Sequence, residues 1–462
     1  MEFNTDLLKP FGKKQINANE FILLFTKYKK VINVQVVDKL ELTSKEYFKL
    51  KESEILNCDF EDEVIIKSAQ TVTSLIIVNC IFKKRFLLFD SKLQRTKLLR
   101  STFNQYFAFK QLDVHSLTVQ NCIINNIKEL KLHEFRVSEL IFKNNEADND
   151  VHLKPLSIKK LVLEGSGKEY RITFSNLESK QILEEIYLFN YSSYRTDYLL
   201  RNFISKKLQL IGELKDSSIF INNAKIQTGI ADYFSNYGNL KISGLSPLTD
   251  QALLVIKNSL IGKAQIDNCD FSSFNRIIIA SSNIIDIIPV NIMWCSTLNL
   301  QSSNIDAVKE NYRQLKLVAS KNGDLEKKLA FEKQEMRLFL DIIKRKKGHF
   351  GDKFILFTNF YSNNFGLSWL RAFYWLFGST IIWYTTIKYL SDQTKFDKGL
   401  ILDEIGKFLL FLNPIHYFER IFGYDPISQG SNGTMFFDAV SRIFGAYFIY
   451  QFVSAFRKYS KG

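Results

Sequence analysis

Four copies of one short motif do most to limit how this chain can fold. NCDF at Asn57, NCIF at Asn79, NCII at Asn121 and NCDF at Asn268 each follow an apolar, strand-like run. The intervals are 22, 42 and 147 residues, and read as one, two and seven periods they give 22, 21 and 21 residues per repeat. A repeat in the low twenties is one coil of a β-solenoid, whose short strands bury their inward side chains only when the next coil stacks on them. Asn57, Asn79, Asn121 and Asn268 are expected at equivalent corners, their amides laddered, with Cys58, Cys80, Cys122 and Cys269 just inside, in the core.

The text between the motifs agrees. SLIIVNCIF, SELIFKNN, KKLVLEGSG and RIIIASSNI are short, rich in Ile, Val, Leu and Phe, and end in Asn, Ser or Gly. The expected fold is a mainly β N-terminal solenoid, a parallel β-helix of about ten coils at 21–22 residues each, spanning 43–305 behind a cap region at 1–42. An α/β fold of leucine-rich repeats is the structural competitor. Register loosens over 145–265, where pieces such as SKQILEEIYLF read as helix. With no CxxC and no nearby His pair, the cysteines do not form a zinc site.

From residue 306 the pattern becomes helical. Tyr312, Leu315, Val318 and Ala319 recur at helical spacing, NGD at 322–324 supplies a stop and a start, and Leu325 to Ile343 carries a second apolar face. Residues 306–347 are therefore expected to form an α-helical hairpin linking to an α-helical membrane module at 348–462.

Residues 370–390 hold no charge between Arg371 and Lys388, so a first crossing is expected over 367–390 and a second over 435–456. Lys344, Arg345, Lys346 and Lys347 precede the first, and Arg457 and Lys458 follow the second; such membrane-flanking clusters place both termini in the cytoplasm. No secretory signal is read at the N-terminus, and five scattered cysteines fit reduced thiols. Between the crossings, 405–422 breaks at Asn413 and Pro414 and is expected to be re-entrant or interfacial. Asn413, Pro414, His416 and Gln451 are the candidate pore or gate residues, with Asp438 and Arg442 paired at an outer mouth.

The net charge of +14 raises nucleic acid as a partner, but its tightest basic run adjoins the apolar C-terminal third, and lipid is the reading preferred here. No GxSxG, Walker A, HExxH or kinase signature occurs, and the acidic residues are scattered, so no enzyme, cofactor or metal is expected.

The segments NYRQLKLVASKNGDLEKKLAFEKQEM, LNPIHYF and YQFVSAFRKY give residues 306–462 a resemblance to bacterial membrane proteins that join pentapeptide-like or other β-helical repeats to a helical linker and a paired-transmembrane module. That resemblance implies a homo-oligomer in the bacterial inner membrane with channel-like topology. Two functions are then expected as alternatives. In one, the cytoplasmic solenoid senses a protein or small-ligand partner and controls an oligomeric pore, as in a stress or antiviral effector that permeabilises the membrane. In the other, the helices only tether a solenoid scaffold that docks a protein.

Overall fold

The computed structural model describes residues 12–43, 52–67, 74–125, 130–133, 135–175, 181–295, 300–301, 304–348, 350–391, 401–423 and 432–460. The chain divides into two compact units, Met1–Ser303 and Asn304–Gly462.

The first unit is a parallel β-solenoid of about 11 turns. Phe86 lies opposite Phe107, Leu140 opposite Leu161 and Lys160 opposite Glu185, so partners on neighbouring coils are 21 to 25 residues apart. The strands alternate: in Arg85–Leu99 the side chains of Phe86, Leu88, Leu93 and Leu98 are buried while Lys92 and Arg95 face out. Identical neighbours stack along the axis. Phe60, Phe82 and Phe103 lie 4.9 and 5.0 Å apart with rings nearly parallel, the spacing of the strands that carry them.

Helix α1 (Ala18–Tyr28) starts from a capping box, the Asn17 side chain accepting from the Glu20 amide, and buries Phe21 and Phe25 completely. Phe21 meets Phe60 edge-on at 5.7 Å, extending the Phe column. Residues expected as a cap region also supply strands: Lys30–Ile32 and Leu40–Leu42 pair in parallel with Glu52–Leu56 and Val64–Lys67. The segment expected to be helix-like is strand. Ile182–Asn190 pairs with Ser157–Glu164 and Asp197–Leu214. Its buried Leu183 and Ile186 are three apart, which imitates helical spacing inside an irregular strand.

Asn57, Asn79 and Asn121 all sit at one corner, at φ of 52°, 54° and 54°. This left-handed turn admits Asn at little cost because its short side chain bonds locally. Asn144 continues the column, its Nδ2 donating to Asn121 Oδ1 at 2.8 Å, and Asn57 donates likewise to Asn33. Asn268 has the same backbone, φ 50°, but at a second corner, where Asn291 Nδ2 donates to its Oδ1 at 2.6 Å. The four asparagines are therefore not at equivalent corners; two bends of the coil ask for the same left-handed residue, and spacing alone does not separate them. At Gly212 (φ +102°) any Cβ would lie 1.7 Å from the Asn190 carbonyl oxygen, so there only glycine fits.

Cys58, Cys80, Cys122 and Cys269 are buried, each thiol donating to the carbonyl two residues back, at 3.2, 3.3, 3.4 and 3.2 Å. Ser101 and Ser282 follow corner residues too and make the same bond at 3.0 and 2.8 Å. Burial pushes the Cys122 thiol up to about 11, which leaves it unreactive. Because a serine can make this bond, Cys122→Ser should cost about 1 kcal/mol or less, whereas Cys122→Leu should cost ~1–3 kcal/mol by overpacking. Urea midpoints of the two variants check the ordering.

The second unit is helical. Helices α2 (Ile305–Lys321) and α3 (Leu325–Arg345) pack against each other, with Tyr312, Leu315, Val318 and Ala319 buried on α2 and Leu329, Phe331, Leu340 and Ile343 on α3. Gly323 turns the chain at φ +72°, and Asp324 caps α3 by accepting from the Lys327 amide at 3.0 Å. Then follow α4 (Phe350–Asn363), α5 (Trp369–Leu390), α6 (Ile401–Phe411), α7 (Phe418–Phe422) and α8 (Asn432–Ser460). Among the described residues no helix is long and apolar enough to cross a membrane. This corrects the crossings expected at 367–390 and 435–456. The uncharged positions of α5 include Tyr, Trp, Thr and Ser, and α8 carries Asp438, Arg442 and Gln451, so freedom from charge overstated apolarity.

Candidate functional site

The polar residues of the helical unit converge rather than line an opening. α6 ends at Phe411, and Asn413 and Pro414 turn the chain into α7; the Asn413 side chain accepts from the Ile415 amide at 3.0 Å. Phe411, Phe418, Ile421 and Phe422 bury against Tyr384 and Ile387 of α5, which fixes the turn. His416, 7% exposed, then reaches α8. Its Nε2 is 2.9 Å from Asp438 Oδ1, its Nδ1 is 2.8 Å from the Asn413 carbonyl, and Arg442 Nε donates to Asp438 Oδ2 at 2.8 Å. Both ring nitrogens face acceptors, an arrangement that calls for N–H on each. The void beside them is about 10 Å³, room for a single water. Gly445 lets Pro414 approach, since even a Cβ added there would lie 4.0 Å from Pro414 Cβ.

A second polar knot ties α4 to α8. Gln451 Nε2 donates to Asn359 Oδ1 at 2.9 Å, Asn363 Nδ2 bonds Gln451 Oε1, and Asn363 Oδ1 accepts from the Gly366 amide at 2.8 Å. Asn359 and Asn363 are absent from the residues that the sequence singles out, although their i, i+4 spacing among Phe and Tyr marks a polar stripe on one helix face. Lys388 and Glu404, 2.6 Å apart, join α5 to α6 in the same manner.

The candidate residues thus fall into two groups. Asn413, Pro414, His416, Asp438 and Arg442 come together; Gln451 belongs to the other knot. The flanking basic residues also separate. Lys458 Nζ binds Glu332 Oε1 at 3.1 Å and the Phe365 carbonyl at 2.9 Å, whereas Lys344, Arg345, Lys346 and Lys347 end the α3 region. From Glu332 to Arg345 the helix rises ~20 Å, so the two clusters do not share one level.

Around these polar interiors the surface is apolar. Phe350, Leu402, Ile415 and Ile443 are 82, 85, 82 and 70% exposed, and most large apolar side chains exposed among the described residues lie between Phe350 and Phe456.

No family model, no curated protein and no solved structure matches this chain. The resemblance drawn from the linker and the LNPIHYF segment stands on those residues alone.

Proposed function

We propose that the protein is a β-solenoid docking scaffold held at a lipid bilayer by its helical unit. One observation carries the reading: the helical unit has inverted polarity, with Asp438, His416, Asn363 and Gln451 buried and paired while Phe, Ile, Leu and Trp side chains face out. Water penalises that arrangement and hydrocarbon favours it, because polar groups must then satisfy one another internally. No single helix among the described residues has the apolarity of a span, so the reading rests on the surface of the assembled unit.

The tether is preferred to the pore because Asp438, His416 and Arg442 close on one another beside a void of about 10 Å³. The solenoid offers a long surface of stacked strands to a protein partner, as solenoids generally do.

Purified full-length protein mixed with phosphatidylglycerol-containing vesicles should float with them in a density gradient, at high salt as well as low. Protein left at the bottom would overturn the bilayer reading. Ion flux through the same vesicles would restore the pore in place of the tether.

A further inference from the structure

Between α4, α5 and α8 runs an open groove of roughly 760 Å³, walled by Phe354, Phe357, Tyr361, Trp375, Phe444 and Phe448. This is the size of a site for one small amphiphile. Its wall holds one anomaly. Ser362 lines the groove at 3% exposure, and its Oγ has no hydrogen-bond partner. A buried hydroxyl without a partner costs free energy unless a ligand completes it.

One end of the groove leads to cations. Trp375 Nε1 donates to the Tyr361 carbonyl at 3.0 Å, and Arg371 lies one turn before Trp375 on α5. Next to Tyr361, Phe360 carries the Arg337 guanidinium over its ring at 5.7 Å, and Arg337 Nε is buried without a partner. Lys333 precedes Arg337 by one turn of α3. Burial first, and then the charges of Arg337 and Arg371, hold the Lys333 ammonium below its ordinary value, so the three cations stand close to one another. Among the described residues no carboxylate pairs with any of them. An unneutralised cationic cluster beside an apolar groove calls for a ligand that is anionic at one end and hydrocarbon at the other.

We propose that this groove binds one anionic phospholipid, an acyl chain lying along the aromatic wall, Ser362 donating to an ester carbonyl, and the phosphate held by Lys333, Arg337 and Arg371. The proposal deepens the bilayer reading and rests on it for the supply of lipid.

Native mass spectrometry of the full chain in a mild non-ionic detergent tests it, with phosphatidylglycerol and phosphatidylcholine added in turn. A one-to-one adduct is expected with phosphatidylglycerol, about tenfold more populated than with phosphatidylcholine, a difference of ~1.4 kcal/mol. Inorganic phosphate at equal concentration should not displace it, since the chain contributes most of the binding. Arg371→Gln, at an exposed position that folding tolerates, should erase most of the headgroup preference, as should Arg337→Gln if it folds. Thr358→Trp, which fills the groove, should remove the adduct for both lipids. Equal binding of the two lipids, or an undiminished preference in Arg371→Gln, would overturn the proposal. Wild-type protein that floats with vesicles yet shows no preference sinks the groove site and spares the bilayer reading; protein that holds one phosphatidylglycerol but does not float does the reverse.

Discussion

Asp438→Ala is expected to destabilise the helical unit by ~3–5 kcal/mol, because removing one partner of a buried ion pair strands the others. Asp438 is 7% exposed and is shared between His416 Nε2 and Arg442 Nε, so its loss leaves two donors aimed at an empty site. The Asn413 turn loses its anchor on α8 at the same time. Asp438→Asn should cost less, since an amide oxygen still accepts from one of the two. Replacing Asp438, His416 and Arg442 together by Leu or Met should recover most of the loss, as apolar packing substitutes for the pair. Thermal unfolding in detergent, followed by near-ultraviolet circular dichroism, reads the order of the three variants. A loss below about 1 kcal/mol for Asp438→Ala would mean that water reaches the cluster.

The second large effect belongs to the solenoid. Phe82 is 1% exposed and stacks on Phe60 below and Phe103 above, so Phe82→Ala should cost ~3–5 kcal/mol through lost transfer and an unfilled cavity. Coils contact only their neighbours, and the loss should therefore concentrate there. Hydrogen exchange should accelerate most in Asp59–Phe60, Ile81–Phe82 and Thr102–Phe103, the short strands that carry the column, and little in Leu253–Lys257. Uniform acceleration over the whole unit would show instead that the solenoid unfolds as one cooperative block.

Whatever repeats within one coil is legible without the structure. A short alternating strand, a left-handed Asn and a small inward thiol form a local sentence about 22 residues long, and each copy states it again. Ser101 and Ser282 say the same thing with a hydroxyl, and a motif defined by its Cys passes over them although the chemistry is shared. Ile182–Asn190 misleads for the opposite reason, since an irregular strand carries helical spacing over a few residues.

In the helical unit the legible part is smaller. The α2–α3 hairpin shows in its own periodicity and in its NGD turn, and the Asp438–Arg442 pair shows in its i, i+4 spacing. The crossings expected over 367–390 and 435–456 follow from missing charge, and the hydropathy of α5 and α8 does not support them.

The sequence by itself determined the coil length, the inward alternation and the hairpin, because each is set by dihedral preference and by burial of side chains within one repeat or one helix turn. Only the tertiary structure decided that Asn268 stands at a different corner from Asn57, that His416 meets Asp438 from 22 residues away, and that Gln451 answers Asn359 across 92. Those pairings depend on which coil stacks on which and on how helices pack, and hydrogen bonds of 2.9 Å form only once that packing has placed both partners.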